Sequence, residues 1–278
     1  NYNLIKMRVG IILYPGSNCA EDMKRYFESF HDTCFYIWHK CDNIDDFDFD
    51  LLVIPGGFAF GDRYYENATD NYILNPGIMA KESPVSKIIN DAAERKKVIL
   101  GVCNGFQILI QMKLLEGTLV KNNDKNFTCA KVKCNIESNI LPHYKNNKVT
   151  LDVANSFGNY RTKYNSNYLL DSQQVFLTYA DENYSKNING SMANIAGVCS
   201  RNGLIYGMMP HPERTMDPKI YYILKDVVQN SIPQNIFCKS IDELMKSEHI
   251  SYKSTRMYLK NMYTQGKHVI QGPGENAG

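Results

Sequence analysis

VILGVCNGFQ, residues 98–107, reads as an apolar strand that stops at a glycine-flanked cysteine and continues directly into helix-forming residues. Cys103 therefore stands at a sharp strand-to-helix turn, where a side chain projects from the backbone. The N–H groups and the dipole at the start of a helix favour the thiolate, which is the nucleophilic form of cysteine. The stretch predicts a nucleophilic cysteine. The alternative is a small residue that only packs between Gly101 and Gly105.

A candidate base with its own orienting group occurs late in the chain, in MPHPER at residues 209–214. Pro212 keeps His211 out of the α region, so we predict that this segment is extended. Residues two apart in an extended chain face the same side. The Glu213 carboxylate could then hold one imidazole nitrogen while the other nitrogen meets Cys103. The alternative is a surface loop that carries an unrelated histidine and glutamate.

A third motif, DLLVIPGGF at residues 50–58, is an apolar strand that ends in a proline and two glycines. Attack of a cysteine on an amide creates a tetrahedral oxyanion, which needs preorganised N–H donors. The backbone N–H groups of Gly57 and Asn104 are the predicted pair. A plain turn at the end of a strand is the alternative.

The first hundred residues alternate continuous apolar strands, bounded by Gly and Pro, with helix-compatible runs. The predicted strands cover residues 8–13, 34–38, 51–54 and 98–102, and the predicted helices residues 20–30 and 83–96. This rhythm predicts an α/β fold with a doubly wound, mostly parallel sheet that binds ligands at the carboxyl ends of its strands. Antiparallel strands are predicted within residues 140–179, and a closing amphipathic helix over residues 218–229.

These three motifs, in this order, resemble those of the triad-type (class I) glutamine amidotransferases. The nucleophile motif of that class is Gly-x-Cys-x-Gly-x-Gln, and its base motif is His-x-Glu. Finer features resemble the glutaminase subunits of phosphoribosylformylglycinamidine synthase: PGGFAFGD at residues 55–62, NGS at residues 189–191 and YPGSNC at residues 14–19. The resemblance covers residues 7–216 and implies the flavodoxin-like fold of that class. It also implies that ammonia is released from the side-chain amide of glutamine through a cysteine thioester.

The resemblance implies a role for each matching residue. Cys103 would be the nucleophile, His211 the general base and then acid, and Glu213 the residue that orients His211. Gln107 would help to seat the substrate amide.

One segment, ANSFGNY at residues 154–160, lies where the family holds the amino-acid end of glutamine. The family pattern is Ala-His-Gly-Glu-Gly-Asn-Tyr, so the flanks match and the middle differs. We predict that Asn155, Ser156 and Phe157 bind substrate. We expect their change to affect the fine specificity rather than the hydrolysis chemistry.

The resemblance also implies partners besides glutamine. The ammonia would go to a synthetase subunit that converts formylglycinamide ribonucleotide to formylglycinamidine ribonucleotide in purine biosynthesis, with a small accessory subunit. No cofactor is expected for glutamine hydrolysis, whereas ATP and Mg²⁺ are expected on the synthetase. Two alternatives remain open: an amidotransferase subunit for another acceptor, and a binding subunit whose altered substrate segment has impaired catalysis.

Residues 7–229 are predicted to form the amidotransferase domain, residues 230–246 a linker, and residues 247–278 a fragment resembling the start of the synthetase subunit. A net charge of +2 does not indicate a protein that binds nucleic acid. The sequence contains no run of about 18 apolar residues, so no membrane span is predicted. The eight cysteines include no C-x-x-C pair, so no metal site is predicted and the seven besides Cys103 receive no role. Without a signal-peptide pattern, we predict a cytoplasmic protein.

Overall fold

The structure, a computed structural model, describes residues 6–61, 76–137, 144–163, 173–180 and 187–231. Within these ranges the strands are β1 (Arg8–Leu13), β2 (Thr33–Trp38), β3 (Leu51–Ile54), β4 (Val98–Val102), β5 (Thr118–Val120), β6 (Thr128–Ile136), β7 (Lys148–Asn155), β8 (Asn159–Arg161), β9 (Val175–Tyr179), β10 (Ile195–Cys199) and β11 (Ile205–Met208). The helices are α1 (Ala20–Glu28), α2 (Ile78–Lys81), α3 (Ser86–Glu94), α4 (Asn104–Gln111), α5 (Pro212–Thr215) and α6 (residues 218–231).

Nine of these strands form one sheet in the order β2-β1-β3-β4-β11-β10-β9-β6-β7. From β2 to β11 the neighbouring strands are parallel. From β11 to β7 they are antiparallel, and β5 pairs with β8 in a separate antiparallel ribbon. The parallel half carries the doubly wound α/β arrangement, which confirms the predicted fold class.

The two central parallel strands, β3 and β4, are buried at every residue. Successive side chains of a strand point to opposite faces, so full burial requires cover on both sides of the sheet. Such strands need continuous apolar sequence. The helix α1 shows the complementary pattern, because it buries one stripe that includes Met23 and Phe27 and leaves the rest toward solvent.

The closing helix α6 packs against the end of α1 through aromatic rings. Phe30 stacks on Tyr221 with ring centroids 3.8 Å apart. Just before α6, the carbonyl of Asp217 accepts a hydrogen bond from the hydroxyl of Tyr26 at 2.6 Å. The helix predicted over residues 218–229 is therefore present, and within the described residues it continues to residue 231.

The antiparallel part begins earlier than predicted. Strand β6 starts at Thr128, whereas alternation was recognised only from residue 140. Its sequence, TCAKVKCNI, places Lys131 and Lys133 on the exposed side between buried residues. This alternation with period 2 is typical of a strand with one solvent-exposed face, and the predicted range, residues 140–179, does not include it.

The chain divides into two units, Asn1–Val228 and Gln229–Gly278. Apart from the last residues of α6, the predicted linker and synthetase-like fragment lie outside the described residues. Those boundaries stay predictions. No helix in the described ranges has the length and apolar character needed to cross a membrane.

Candidate active site

Cys103 occupies the turn between β4 and α4. Its backbone has φ 52° and ψ −104°, a conformation that residues with a side chain rarely adopt. Its N–H donates to the carbonyl of Met208 at 2.8 Å, and its own carbonyl accepts from Gln107 N–H at 3.1 Å. The next turn of α4 approaches β3 so closely that a Cβ at Gly105 would lie 1.9 Å from the carbonyl oxygen of Ile54. The predicted strand-to-helix elbow is thus held from both sides.

His211 and Glu213 form a buried pair behind the thiol. Nδ1 of His211 lies 2.6 Å from Oε1 of Glu213, and the backbone N–H of His211 donates to the carbonyl of Asp152 at 2.7 Å. His211 is extended, with φ −100° and ψ 101°, but Pro212 begins the short helix α5. The prediction of a continuous extended segment was therefore wrong. Proline has the φ of a first helical residue, so the chain turns there and still brings the carboxylate to the imidazole.

The surroundings of His211 favour its protonated form. Burial acts to lower the pKa of the imidazole, but the Glu213 carboxylate and the Cys103 thiol outweigh it, so the pKa lies well above its usual value. Hydrogen bonding with the thiols of Cys103 and Cys19 also raises the pKa of His211. The geometry suits an imidazole that exchanges a proton with the thiol.

Cys19 is a second thiol beside the base, and sequence reasoning gave it no role. A Cβ at Gly56 would lie 2.7 Å from Cε1 of His211 and 3.4 Å from Sγ of Cys19, so the ring and this thiol meet over a glycine. Arg214 donates to Sγ of Cys19 at 3.6 Å. The available signal was the position of Cys19 in the YPGSNC motif.

One group in the described part of the chain could approach a metal ion: Cys19, His211 and Glu213 offer ligand atoms within 4.8 Å of one another. The Arg214 guanidinium beside Cys19 places a positive charge there, which opposes a cation. Nδ1 of His211 and the Glu213 carboxylate are already bonded to each other. These two features make the trio a poor site for a metal ion.

A small cleft opens at the thiol of Cys103. Its lining contains all the residues predicted to stabilise the oxyanion or bind substrate, together with the thiol and three further residues: Gly57, Phe58, Pro76, Cys103, Asn104, Gln107, Ala154, Asn155, Ser156 and Phe157. Sγ of Cys103 lies 3.7 Å from the carbonyl oxygen of Ala154. The structure thus brings the predicted residues together, and their individual roles stay predictions.

A chain of side-chain amides connects the walls of this cleft. The N–H of Ala59 donates to Oδ1 of Asn104 at 3.0 Å. Nδ2 of Asn104 donates to Oε1 of Gln107 at 3.0 Å, and Nε2 of Gln107 donates to the carbonyl of Phe157 at 3.0 Å. Gln107, predicted to seat the substrate amide, therefore also ties the loop around Phe157 to α4.

Comparison with known proteins agrees with this geometry. Residues 6–240 match the CobB/CobQ-like glutamine amidotransferase domain. The PurQ subunit of phosphoribosylformylglycinamidine synthase from Pseudothermotoga lettingae is 37% identical over 219 residues, which cover 75% of this chain and 87% of that protein. The PurQ subunit from Thermosynechococcus vestitus is 38% identical over 224 residues, covering 77% and 88%.

A solved structure adds a likeness in three dimensions. One chain of PurLQS from Thermotoga maritima superimposes with a TM-score of 0.64 at 34% identity, covering 77% of this chain and 91% of that chain. The identities are high and the matches span most of each relative. The chain belongs to the glutamine amidotransferase family, and within it to the PurQ subunits of phosphoribosylformylglycinamidine synthase.

Proposed function

We propose that Cys103 hydrolyses the side-chain amide of glutamine and that the ammonia passes to a synthetase subunit that forms formylglycinamidine ribonucleotide. The observation that carries the proposal is the buried His211–Glu213 pair, 2.6 Å apart, next to a thiol at the mouth of a cleft. The relatives support the acceptor, because they are named as subunits of phosphoribosylformylglycinamidine synthase.

The first half of the proposed reaction forms a thioester. Nε2 of His211 takes the proton of the Cys103 thiol, and the thiolate attacks the amide carbon of glutamine. The N–H groups of Gly57 and Asn104 stabilise the tetrahedral oxyanion. The C–N bond then breaks while the imidazolium donates its proton to the nitrogen, because an amide leaves poorly as an anion. Ammonia departs and a glutamyl thioester remains.

The second half regenerates the thiol. His211, neutral again, takes a proton from water, which attacks the thioester carbonyl at the same oxyanion donors. The C–S bond breaks, glutamate leaves, and the proton returns to sulfur. Glu213 keeps the ring in one orientation and stabilises the imidazolium in both halves, which is consistent with the raised pKa of His211.

We place the amino-acid end of glutamine against residues 155–157. The carbonyl of Asn155 accepts from Nδ2 of Asn122 at 2.9 Å, and the carbonyl of Ser156 accepts from Asn122 N–H at 2.8 Å. In a trans peptide the N–H points away from the C=O, so the N–H groups of Ser156 and Phe157 point away from Asn122. Both residues line the cleft, where consecutive N–H groups suit a carboxylate.

Glutamine hydrolysis, in this proposal, uses no cofactor, and ATP and Mg²⁺ bind the synthetase. A small accessory subunit completes the complex, in line with the PurLQS assembly in which the related chain was solved. We also propose a cytoplasmic location. The seven cysteines among the described residues carry free thiols, as is usual in a reducing compartment.

The test is glutamate release from glutamine, measured with and without a complete synthetase subunit, with Cys103→Ala as the blank. We expect release that needs Cys103 and rises with the synthetase, because docking orders the loop around Gly57 and Phe58. Formylglycinamidine ribonucleotide should appear when the acceptor and ATP are added. Equal turnover with and without the synthetase would contradict the proposal that the synthetase is the partner that activates this chain.

Two other results would favour the alternatives. Cys103-dependent glutamate release without formylglycinamidine ribonucleotide would indicate another acceptor. A folded chain that releases no glutamate in either condition would indicate an impaired binding subunit, with the altered residues 155–157 as the first place to look.

A further inference from the structure

We propose that Asn122 is a positioning residue for glutamine, because it holds the substrate loop, residues 155–158, in the shape that binds the amino-acid end. This inference rests on the proposed function. It concerns a residue that lies outside the sequence motifs and does not line the cleft among the described residues.

Asn122 meets the substrate loop with three different groups. Its Nδ2 donates to the carbonyl of Asn155 at 2.9 Å, and its backbone N–H donates to the carbonyl of Ser156 at 2.8 Å. Its Oδ1 accepts from the N–H of Gly158 at 3.0 Å. Asn122 is 1% exposed, so water does not compete for these bonds. One buried side chain and its own N–H thus hold both ends of a four-residue loop.

Asn122 is itself fixed by neighbours outside the loop. Its Nδ2 also lies 3.2 Å from the carbonyl of Asn126 and 3.2 Å from Oγ1 of Thr128. Thr128 starts β6 and pairs with Asn155 at the end of β7. From the other side, Gln107 donates to the carbonyl of Phe157. The substrate loop is therefore held between α4 and Asn122, which lies in the connection from β5 to β6.

The contacts of Asn122 with the loop go only to backbone atoms. They do not depend on which side chains occupy positions 155–157, where this chain differs from the family pattern. The same contacts set the peptide orientations that turn the N–H groups of Ser156 and Phe157 away from Asn122. A chain can thus change the middle of this segment and keep its backbone donors, provided that Asn122 stays.

The inference predicts a loss of glutamine binding with little change in the reactivity of the thiol. The Cys103 turn is held by Met208 and Gln107, not by Asn122. Asn122→Asp keeps Oδ1 for Gly158 but replaces the Nδ2 donor with an oxygen that repels the carbonyl of Asn155. The matched control is Asn123→Asp, because Oδ1 of Asn123 accepts from Nδ2 of Asn159 at 3.0 Å and an aspartate keeps that bond.

The experiment measures kcat and KM for glutamine in the complex with the synthetase, and the rate at which iodoacetamide alkylates Cys103. For Asn122→Asp we expect KM to rise at least about tenfold, since the loop supplies binding contacts, with the alkylation rate within about twofold of the original chain. Asn123→Asp should leave the KM for glutamine and the alkylation rate of Cys103 within about twofold of the original chain. An unchanged KM in Asn122→Asp would overturn the inference, as would a parallel loss of alkylation.

Two further measurements keep the result decisive. Asn122→Ser loses both side-chain bonds to the loop but keeps the backbone N–H, so it replaces Asn122→Asp if that variant does not fold. If neither variant folds, Asn122 is a folding residue and the inference fails. Glutamine affinity in a Cys103→Ala background separates this inference from the proposed function. Weaker binding with Asn122→Asp there supports the inference even if the original chain releases no glutamate, whereas equal binding overturns it.

Discussion

Nδ1 of His211 and Oε1 of Glu213 are 2.6 Å apart, and both side chains are almost completely buried. Burial alone would lower the pKa of the imidazole, so the carboxylate decides the sign of the shift together with the Cys103 thiol. In the proposed reaction, the pair orients the ring and keeps a proton available for the leaving ammonia. Its effect on protonation can be measured apart from its effect on rate.

Replacing Glu213 with glutamine removes the charge and keeps the size. We expect the pKa of His211 to fall, because burial then acts without the opposing carboxylate. The imidazolium, which in the original chain persists to a pH above its usual range, should lose its proton at lower pH. Histidine NMR titration measures this directly. Glutaminase kcat should drop by about 10²–10⁴, the usual range for a disabled acid–base group.

The control for that variant is Glu28→Gln, at an exposed helix position 3.8 Å from Lys24. It should change neither the His211 titration nor kcat, since exposed pairs contribute little. An unshifted His211 resonance in Glu213→Gln would mean that the carboxylate only packs against the ring.

The backbone at Cys103 predicts a difference between two inactive variants. With φ 52° and ψ −104°, any residue with a Cβ is strained there, at a cost of about 1–3 kcal/mol. Glycine removes that strain, but it loses more backbone entropy on folding than alanine, which offsets about 0.5–1 kcal/mol of the gain. We expect Cys103→Gly to have a free energy of unfolding about 1 kcal/mol above that of Cys103→Ala in urea. Equal stability would show that the elbow stores no strain.

The elements nearest the chemistry could be predicted because their signals are local. An apolar strand followed by small residues identified the turns at Gly57 and Cys103 without any long-range information. The His211–Glu213 contact was also predicted, but through the wrong backbone. The prediction used the restriction that Pro212 places on the backbone of His211. The fixed φ of Pro212 also suits the first residue of a helix, and this second effect explains the observed turn.

Asn122 could not be predicted, for a physical reason. Its partners Asn155 and Gly158 lie 33 and 36 residues away along the chain. Nothing in the asparagine-rich stretch around it distinguishes a buried clamp from a surface turn until β6 and β7 are paired. Cys19 shows the same limit, because its neighbour Arg214 is 195 residues away. Contacts made by the tertiary fold are absent from local periodicity.

The remaining cysteines should differ in reactivity according to burial. Burial raises the pKa of Cys134 to about 12 and that of Cys199 to about 12, so only about one thiol in ten thousand is ionised at pH 8. Cys129 is exposed. We expect iodoacetamide to label Cys103 and Cys129 in the native protein at pH 8, and Cys134 and Cys199 only in urea. Peptide mass spectrometry assigns the sites.

Two comparisons make the labelling result specific. Glutamine should slow labelling of Cys103, because this thiol lines the cleft. Labelling of Cys129 should not change, because Cys129 is exposed and is not among the described residues that line the cleft. Native labelling of Cys134 at the rate of Cys129 would mean that the sheet around β6 opens far more readily than its burial implies.

Gly105 is where the nucleophile's helix meets the sheet, and it allows the sharpest test of the elbow. A Cβ there would lie 1.9 Å from the carbonyl oxygen of Ile54, so backbone rather than a flexible side chain must move. We expect Gly105→Ala to lower the free energy of unfolding by about 1–3 kcal/mol or more. It should also impair glutamate release, because shifting α4 moves the Asn104 N–H, the proposed oxyanion donor, away from the Cys103 thiol.

The matched control is Gly10→Ala in the neighbouring strand β1. A Cβ there would meet side chains rather than backbone: Cδ1 of Ile37 at 3.0 Å, and Cδ1 of Leu52 and of Phe49 at 3.5 Å, so only the tip of Ile37 has to move. Its cost in urea unfolding should be well below that of Gly105→Ala, with glutamate release preserved. If the two alanines proved equally mild in both measurements, the close contact of α4 with β3 could not be what positions the proposed oxyanion donor, and the side-chain bonds of Asn104 to Ala59 and Gln107 would be the next contacts to test.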